Sequence, residues 1–204
     1  MSSTTKNIIK VTQLNMQKAR HAQIEMLNKL NKCKNPFLII TQEPYCYKST
    51  LALMPQNAKT IPSDRSGHPR ASITASNRLQ MTEISELKHR DLAAGLITLE
   101  GKKTVILSVY LDITKEAVPD HLREAIEYCK QKLFSILVGI DLNAHSDVWG
   151  YSNNKRGNEL VNYIVLERLE LHNKGREYTY ECSIGRSRGR SGLSTWKYQF
   201  SYDH

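Results

Sequence analysis

The chain has 204 residues, 40% of them hydrophobic, and a formal net charge of +9. That length accommodates one ordinary domain with a sizeable core, and no apolar run approaches the roughly 18 residues of a membrane span. The charge surplus favours a polyanionic partner such as nucleic acid, although a basic soluble protein without such a partner would show it too.

The polar start, Met1 to Lys6, lacks the apolar segment of a secretory signal. Cys33, Cys46, Cys129 and Cys182 show no CxxC spacing, so neither zinc nor a disulfide scaffold is supported and a reducing intracellular compartment is expected. Residues 7–14 read as an opening strand. From Met16 the pattern changes: Ala19, Ala22, Met26, Leu30 and Cys33 recur at spacings of three and four, the mark of one apolar helical face. Asn35-Pro36 breaks that helix, and Phe37–Thr41 forms a second apolar strand ending at Gln42-Glu43-Pro44-Tyr45.

Residues 55–70 carry Pro55, Pro62, Gly67 and Pro69 and predict a surface loop. Two strands follow, Ala71–Ser76 and Gly95–Leu99, the latter turning through Glu100-Gly101-Lys102-Lys103 into Thr104–Tyr110. Pro119 suits a first helical position, and Leu122, Ala125, Ile126, Cys129 and Leu133 form the next helical stripe. After the strand around residue 138, Leu160, Ile164 and Leu169 suggest another helix. Gly185–Gly192 has no apolar residue and predicts a flexible basic loop or unstructured tail. Strands alternate with helices yet also pair as hairpins, so a mixed-sheet α/β sandwich is expected. No repeat or linker divides residues 1–204, which read as a single domain.

The richest stretch is Ile136-Leu137-Val138-Gly139-Ile140-Asp141-Leu142-Asn143-Ala144-His145. A buried strand delivers a carboxylate and an amide to its carboxyl end, where open α/β sheets bind ligands. Residues two apart on a strand share a face, so Asp141 and Asn143 can address one substrate group, one taking a proton and the other donating hydrogen bonds. Asn15, Glu43 and Tyr110 stand at other strand ends, and Asp203-His204 closes the chain. Singly, each has an ordinary explanation. Asn15 would serve as a helix N-cap, Glu43 as a solvated loop carboxylate, Tyr110 as a core aromatic and His145 as a loop histidine. The signal lies in the combination.

Asn15, Gln42-Glu43-Pro44-Tyr45, Ser108-Val109-Tyr110-Leu111, Gly139-Ile140-Asp141-Leu142-Asn143-Ala144-His145 and Asp203-His204, in that order, resemble the endonuclease/exonuclease/phosphatase superfamily. That group includes DNase I and the apurinic/apyrimidinic endonucleases. Gly67-His68-Pro69-Arg70-Ala71, Arg90-Asp91-Leu92, Arg156-Gly157-Asn158-Glu159-Leu160 and Leu171-His172-Asn173-Lys174-Gly175 bring it closest to the endonuclease domain of non-LTR retrotransposons. The resemblance implies a four-layer sandwich of two mixed β-sheets flanked by helices. It further implies metal-dependent hydrolysis of DNA phosphodiesters with Mg2+ (or Mn2+). Glu43, Asn15 and Asp203 would hold or support the metal, and Asp141, Asn143, Tyr110 and His204 would carry catalysis. Asn173, Arg70 and His145 would contact DNA. The implied partner is double-stranded chromosomal DNA, with a reverse transcriptase domain expected in the full-length element and the nucleus as the place of action.

Three features depart from the family pattern. The usual Ser-x-x-Asp strand, whose Asp orients the catalytic histidine, is missing: between residues 183 and 200 there is no Asp. Tyr202 replaces the usual Ser before Asp-His, and the chain stops at His204; Ile140 replaces the usual Gly before Asp141. Together the first two read as a deletion or decayed copy and predict an incomplete domain near 183–200 with weakened activity. The competing readings are a catalytically dead nucleic-acid-binding remnant and a phosphatase on the same fold.

Overall fold

Alternation along the strands decides which neighbour each face buries. In the computed structural model, which describes residues 9–64, 67–99 and 101–171 and the main chain of Tyr180–Glu181 and Arg188–Gly189, the chain opens with a β–α–β unit. β1 (Lys10–Asn15), α1 (Arg20–Leu30) and β2 (Phe37–Gln42) build it, with the two strands parallel. Every β2 residue is buried, but the two faces go to different places. Phe37 and Ile39 pack with Leu14, Met16, Met26 and Leu30 under α1. Leu38 and Ile40 enter the larger core on the other side.

A short hairpin, β3 (Cys46–Tyr47) and β4 (Thr50–Leu51), leads to β5 (Ala58–Pro62) and β6 (Ala71–Ser76), which complete a sheet of order β1-β2-β6-β5. β7 (Thr82–Glu83), β8 (Leu92–Leu99) and β9 (Lys102–Tyr110) then run antiparallel to one another. Gly101, at φ +81°, makes the turn between the last two. α2 (Asp120–Gln131) crosses over to β10 (Ser135–Asp141), parallel to β9, giving the second sheet, β10-β9-β8-β7. α3 (Lys155–Leu166) follows. Leu122 and Ile126 of α2 and Leu160 and Tyr163 of α3 meet Val138 and Ile140 of β10 around one small apolar cavity. The layers are therefore α1, first sheet, second sheet, and α2 with α3: the four-layer mixed-sheet sandwich expected from the sequence. No helix among the described residues is long and apolar enough to cross a membrane.

Several local expectations are corrected. The proline-rich loop at 55–70 contains β5, because Ile61 is 2% exposed and pairs with Ile73 of β6. Pro62 is tolerated there as the last residue of an edge strand, where its missing N–H costs no ladder bond. Leu133 is not part of the α2 stripe. The helix ends at Gln131, Leu133 takes φ +52° and is 73% exposed, and Phe134 N–H returns to Cys129 O. Ala19 is exposed at the α1 N-cap, while Gln23 is buried in that helix and donates to Leu53 O. Pro119 is the α2 N-cap, one position before the first helical residue. Within the arginine-rich stretch, Arg188–Gly189 pairs with Tyr180–Glu181 as strands β12 and β11, a ladder that needs only main-chain groups. The rest of Gly185–Gly192 lies outside the described residues.

At the start of α2 the His121 ring stacks on His89 with centroids 3.9 Å apart. Burial and the adjacent His89 hold the His121 imidazole down to about 4, against a partial upward pull from Asp120. The unfolded chain takes up this proton at about 6.5, so between those values it binds more protons than the folded protein, and stability falls as pH drops through that window. Thermal unfolding between pH 7 and 5 should show a smaller loss for His121→Phe than for the unsubstituted chain. Equal losses would remove His121 as the cause.

Candidate active site

The site is made by register. Asn15 pairs with Gln42 at the end of β1/β2, and Asp141 with Tyr110 at the end of β10/β9, so each parallel pair presents two adjacent residues at its carboxyl end. A buried polar seam holds the two pairs together. Gln13 Nε2 donates to Gln42 Oε1 at 3.0 Å and to Ile140 O at 2.9 Å. Gln42 Nε2 donates to Ser108 Oγ at 3.1 Å and to Gly139 O at 3.0 Å, and Ser108 Oγ donates to Thr41 O at 2.8 Å. Gln13, Gln42 and Ser108 are all at most 3% exposed. The amide donors are engaged across the sheets, so any shift strands a donor, although Gln13 Oε1 is buried without a partner among the described residues.

Across this seam Asn15 Nδ2 donates to Asp141 Oδ2 at 2.6 Å. Asn15 Oδ1 accepts from Gln17 N–H at 2.8 Å, which fixes the amide's orientation and opens the turn into α1. Asn15 is thus a site residue and a turn residue, not the helix N-cap, which is Ala19. Burial raises the Asp141 carboxyl above its ordinary value, and the Glu43 charge adds to the rise. Hydrogen bonds from Asn143 N–H and Asn15 oppose it.

Glu43 follows β2 with φ +46°, a left-handed conformation that costs an ordinary residue roughly 1–2 kcal/mol. Main-chain bonds hold it there: Glu43 N–H donates to Arg70 O and Lys18 N–H donates to Glu43 O, both at 2.8 Å. Lys18 Nζ lies 3.5 Å from Glu43 Oε1, a mostly solvated ion pair. Asn143 also takes φ +45°, which Asn tolerates better, and its Nδ2 donates to Leu111 O at 3.0 Å, leaving one amide N–H unused by that bond. Tyr110 lies under the Arg70 guanidinium, 3.9 Å from the ring centroid. Burial raises its phenol above the ordinary value, so it is a proton-bearing donor at neutral pH.

The loop after β10 is anchored rather than loose. His145 is exposed and stacks on Tyr151 at 4.9 Å, and Trp149 Nε1 donates to Ala144 O at 3.0 Å. Asn154 caps α3 through Gly157 N–H at 2.7 Å and also receives His145 N–H at 3.4 Å. Arg156 joins the two site loops by donating to Leu142 O, Lys115 O and Asp112 O. A Cβ at Gly157 would lie 1.8 Å from His145 O, so only glycine lets α3 approach the loop.

Residues 104–188, which span β9, β10 and α3, match the family described as endonuclease-reverse transcriptase. The structure resembles the endonuclease domain of TRAS1, a telomere-specific non-LTR retrotransposon, with TM-score 0.75 and 20% identity over 94% of this chain and 84% of that one. The fold is that of the endonuclease/exonuclease/phosphatase family. An endonuclease/exonuclease/phosphatase family protein from Leptotrichia buccalis gives TM-score 0.60 at 9% identity, covering 94% of this chain and 87% of that one. An AP endonuclease from Leishmania major gives 0.62 at 9%, covering 94% and 78%. No curated protein matches the chain by sequence.

Of the residues expected from the family resemblance, Asn15 and Asp141 are in direct contact, the Glu43 charge acts on Asp141, and the charges of Glu43 and Asp141 act on the Tyr110 phenol. Asn143 and His145 sit on the adjoining loop, and the Arg70 guanidinium lies over the Tyr110 ring. Asn173, Asp203 and His204 lie outside the described residues, as does all of the 183–200 interval that lacks the Ser-x-x-Asp motif except Arg188–Gly189. Sequence reasoning assigned no role to Gln13, Gln42, Ser108, Asn154 or Arg156. Neither glutamine stands out locally: Gln42 ends the apolar β2 and Gln13 lies among other polar residues in β1. Ile140, where the family prefers Gly, is accommodated as a core residue 8% exposed.

Among the described residues no three His, Cys, Asp or Glu side chains converge as a metal site. Glu43, Asp141 and Asn15 nevertheless offer oxygen donors only, which suits a hard cation that keeps several waters and shares a substrate phosphate. The donor chemistry therefore fits Mg2+ or Mn2+ and disfavours a thiolate-seeking metal.

Close sheet packing leaves no room at Gly139, where a Cβ would lie 2.4 Å from Ile40 Cγ2. Gly139→Ala should destabilise the fold by about 1–3 kcal/mol, and Ile40→Ala in the same chain should recover part of that loss. Denaturant melts of the two single variants and the double variant check this; strictly additive losses would contradict the contact.

Proposed function

We propose that this chain is a divalent-metal-dependent endonuclease that nicks double-stranded DNA, the target-site cleavage activity of a non-LTR retrotransposon. The observation that carries the reading is the 2.6 Å contact between Asn15 and Asp141, two strand ends 126 residues apart, with Glu43 and Tyr110 beside them. The match of residues 104–188 to the endonuclease-reverse transcriptase family supports the substrate class. The net charge of +9 suits a polyphosphate partner.

In this reading Asp141, oriented by Asn15 and Asn143 N–H, takes the proton of the attacking water. The water oxygen bonds to phosphorus as the bond to O3′ breaks, and the departing O3′ takes a proton from solvent, leaving a 3′-hydroxyl and a 5′-phosphate. The free N–H of Asn143 and the Tyr110 hydroxyl hydrogen-bond the phosphate oxygens as charge builds on them. Glu43, with Asn15 alongside and Asp203 from the chain end, would hold Mg2+ or Mn2+. When bound, the metal supplies positive charge to the phosphate and makes water more acidic. His204 would stabilise charge at the phosphate, while His145 and Asn173 would contact flanking DNA. The 3′-hydroxyl would prime synthesis by a reverse transcriptase domain of the same element, and the reaction would then take place in the nucleus.

Nicking of supercoiled plasmid in Mg2+ tests the reading. Asp141→Ala should reduce the rate by about 10²–10⁴-fold, the usual contribution of a positioned base, and EDTA should abolish nicking by the unsubstituted chain. Equal nicking by both proteins would defeat the catalytic assignment. DNA retention that weakens steeply with salt, without nicking, would favour the binding remnant. Phosphate release from small esters without nicking would favour the phosphatase.

A further inference from the structure

Arg70 immediately precedes β6, where the ends of β2 and β9 and the start of β8 come together. Its guanidinium is 3.9 Å from the Tyr110 ring centroid. Its Nη1 is 2.8 Å from Asp112 Oδ2 and its Nε 3.4 Å from Asp91 Oδ1, and the side chain is only 15% exposed. Asp112 is itself fixed by Thr114, through N–H at 2.9 Å and Oγ1 at 2.8 Å. Arg70 and Thr114 together hold its carboxyl well below the usual carboxylate range, so it remains ionised.

The main chain repeats the same connections. Arg70 O accepts from Glu43 N–H at 2.8 Å, Arg70 N–H donates to Arg90 O at 3.3 Å, and Tyr110 N–H donates to Asp91 O at 2.9 Å. One residue therefore touches both the left-handed main chain of Glu43 and the ring of Tyr110. The family resemblance assigned Arg70 to DNA. Its surroundings favour another role, because one guanidinium facing two carboxylates carries no surplus positive charge for a phosphate.

We propose that Arg70 is a positioning residue: clamped by Asp91 and Asp112, it fixes the Tyr110 phenol for the scissile phosphate while its carbonyl holds Glu43. The proposal rests on the nuclease reading of the site. A planar guanidinium suits the task because it can stack on the ring and bond two carboxylates in its own plane. A lysine ammonium is a point charge and reproduces only part of this. Small misplacements of a phosphate-binding donor are costly, about 10²-fold for roughly 1 Å.

The test labels tyrosines with 13C at Cζ and assigns the Tyr110 resonance by its loss in Tyr110→Phe. Arg70→Met should shift that resonance and raise the phenol's ionisation midpoint, since the cation that opposes burial is gone. Arg70→Lys keeps the charge but should also shift the resonance, and it decides the matter if Arg70→Met does not fold. In Mg2+-dependent nicking both variants should lower kcat about 10–100-fold, with duplex Kd and its salt slope within about twofold of the unsubstituted chain.

An unmoved Tyr110 resonance in a folded variant would overturn the proposal. A weakened Kd whose salt slope falls by about one would do the same by making Arg70 a phosphate contact. If the unsubstituted chain does not nick, the nuclease reading has failed, while the resonance still reports whether Arg70 sets the phenol.

Discussion

Two glutamines buried between the sheets are the constraint on which the site depends. Gln13 and Gln42 lie on neighbouring strands of the first sheet, yet their amides reach carbonyls of Gly139 and Ile140 on the second. Sheet-on-sheet packing by apolar side chains alone tolerates sliding, since hydrophobic contact is non-directional. Amide hydrogen bonds do not, because a buried donor without an acceptor costs about 1–3 kcal/mol. The seam sets the offset between the sheets, and the offset sets the Asn15–Asp141 contact. Gly139 reinforces it by letting Ile40 come closer than any side chain would allow.

From that constraint the rest of the site follows as a hierarchy of supports. Strand ends supply Asn15, Tyr110 and Asp141 on rigid elements. Glu43 and Asn143, one or two residues further on, turn into left-handed backbone, so the chain leaves each sheet sharply and exposes the functional group. Beyond them, Arg156 and Asn154 tie the loops at 112–115 and 142–154 to α3. Arg70 ties β2, β8 and β9 from beneath. In the proposed reaction the reacting groups would be placed by residues that need not touch DNA, so that orientation is set before substrate arrives.

The sequence revealed the alternating elements and the reactive strand ends for a physical reason. Buried strands must be apolar, and a carboxylate that ends one, as Asp141 does, contrasts sharply with what precedes it. Glu43 and Tyr110 stood out in the same way. The supports were harder to see. Gln42 looked like a strand terminus because its hydrogen-bond partners are up to 97 residues away, a distance no local pattern encodes. Arg70 was assigned to DNA by the resemblance because its neutralising carboxylates, Asp91 before β8 and Asp112 after β9, are distant in sequence. β5 was hidden by flanking prolines, since its evidence is pairing with β6 rather than its own composition. Leu133 matched the helical period but fell past the end of α2, where the chain turns back toward β10.

The central claim is that the glutamine seam, acting through the offset of the two sheets, makes one phosphoryl-transfer site out of two sets of strand ends. Its most direct test is the Mg2+-dependent nicking rate of Gln42→Met, whose side chain keeps the volume but removes the amide, measured on protein shown to be folded by circular dichroism. The account predicts a fall of about 10–100-fold. A folded variant that nicks as fast as the unsubstituted chain would contradict it.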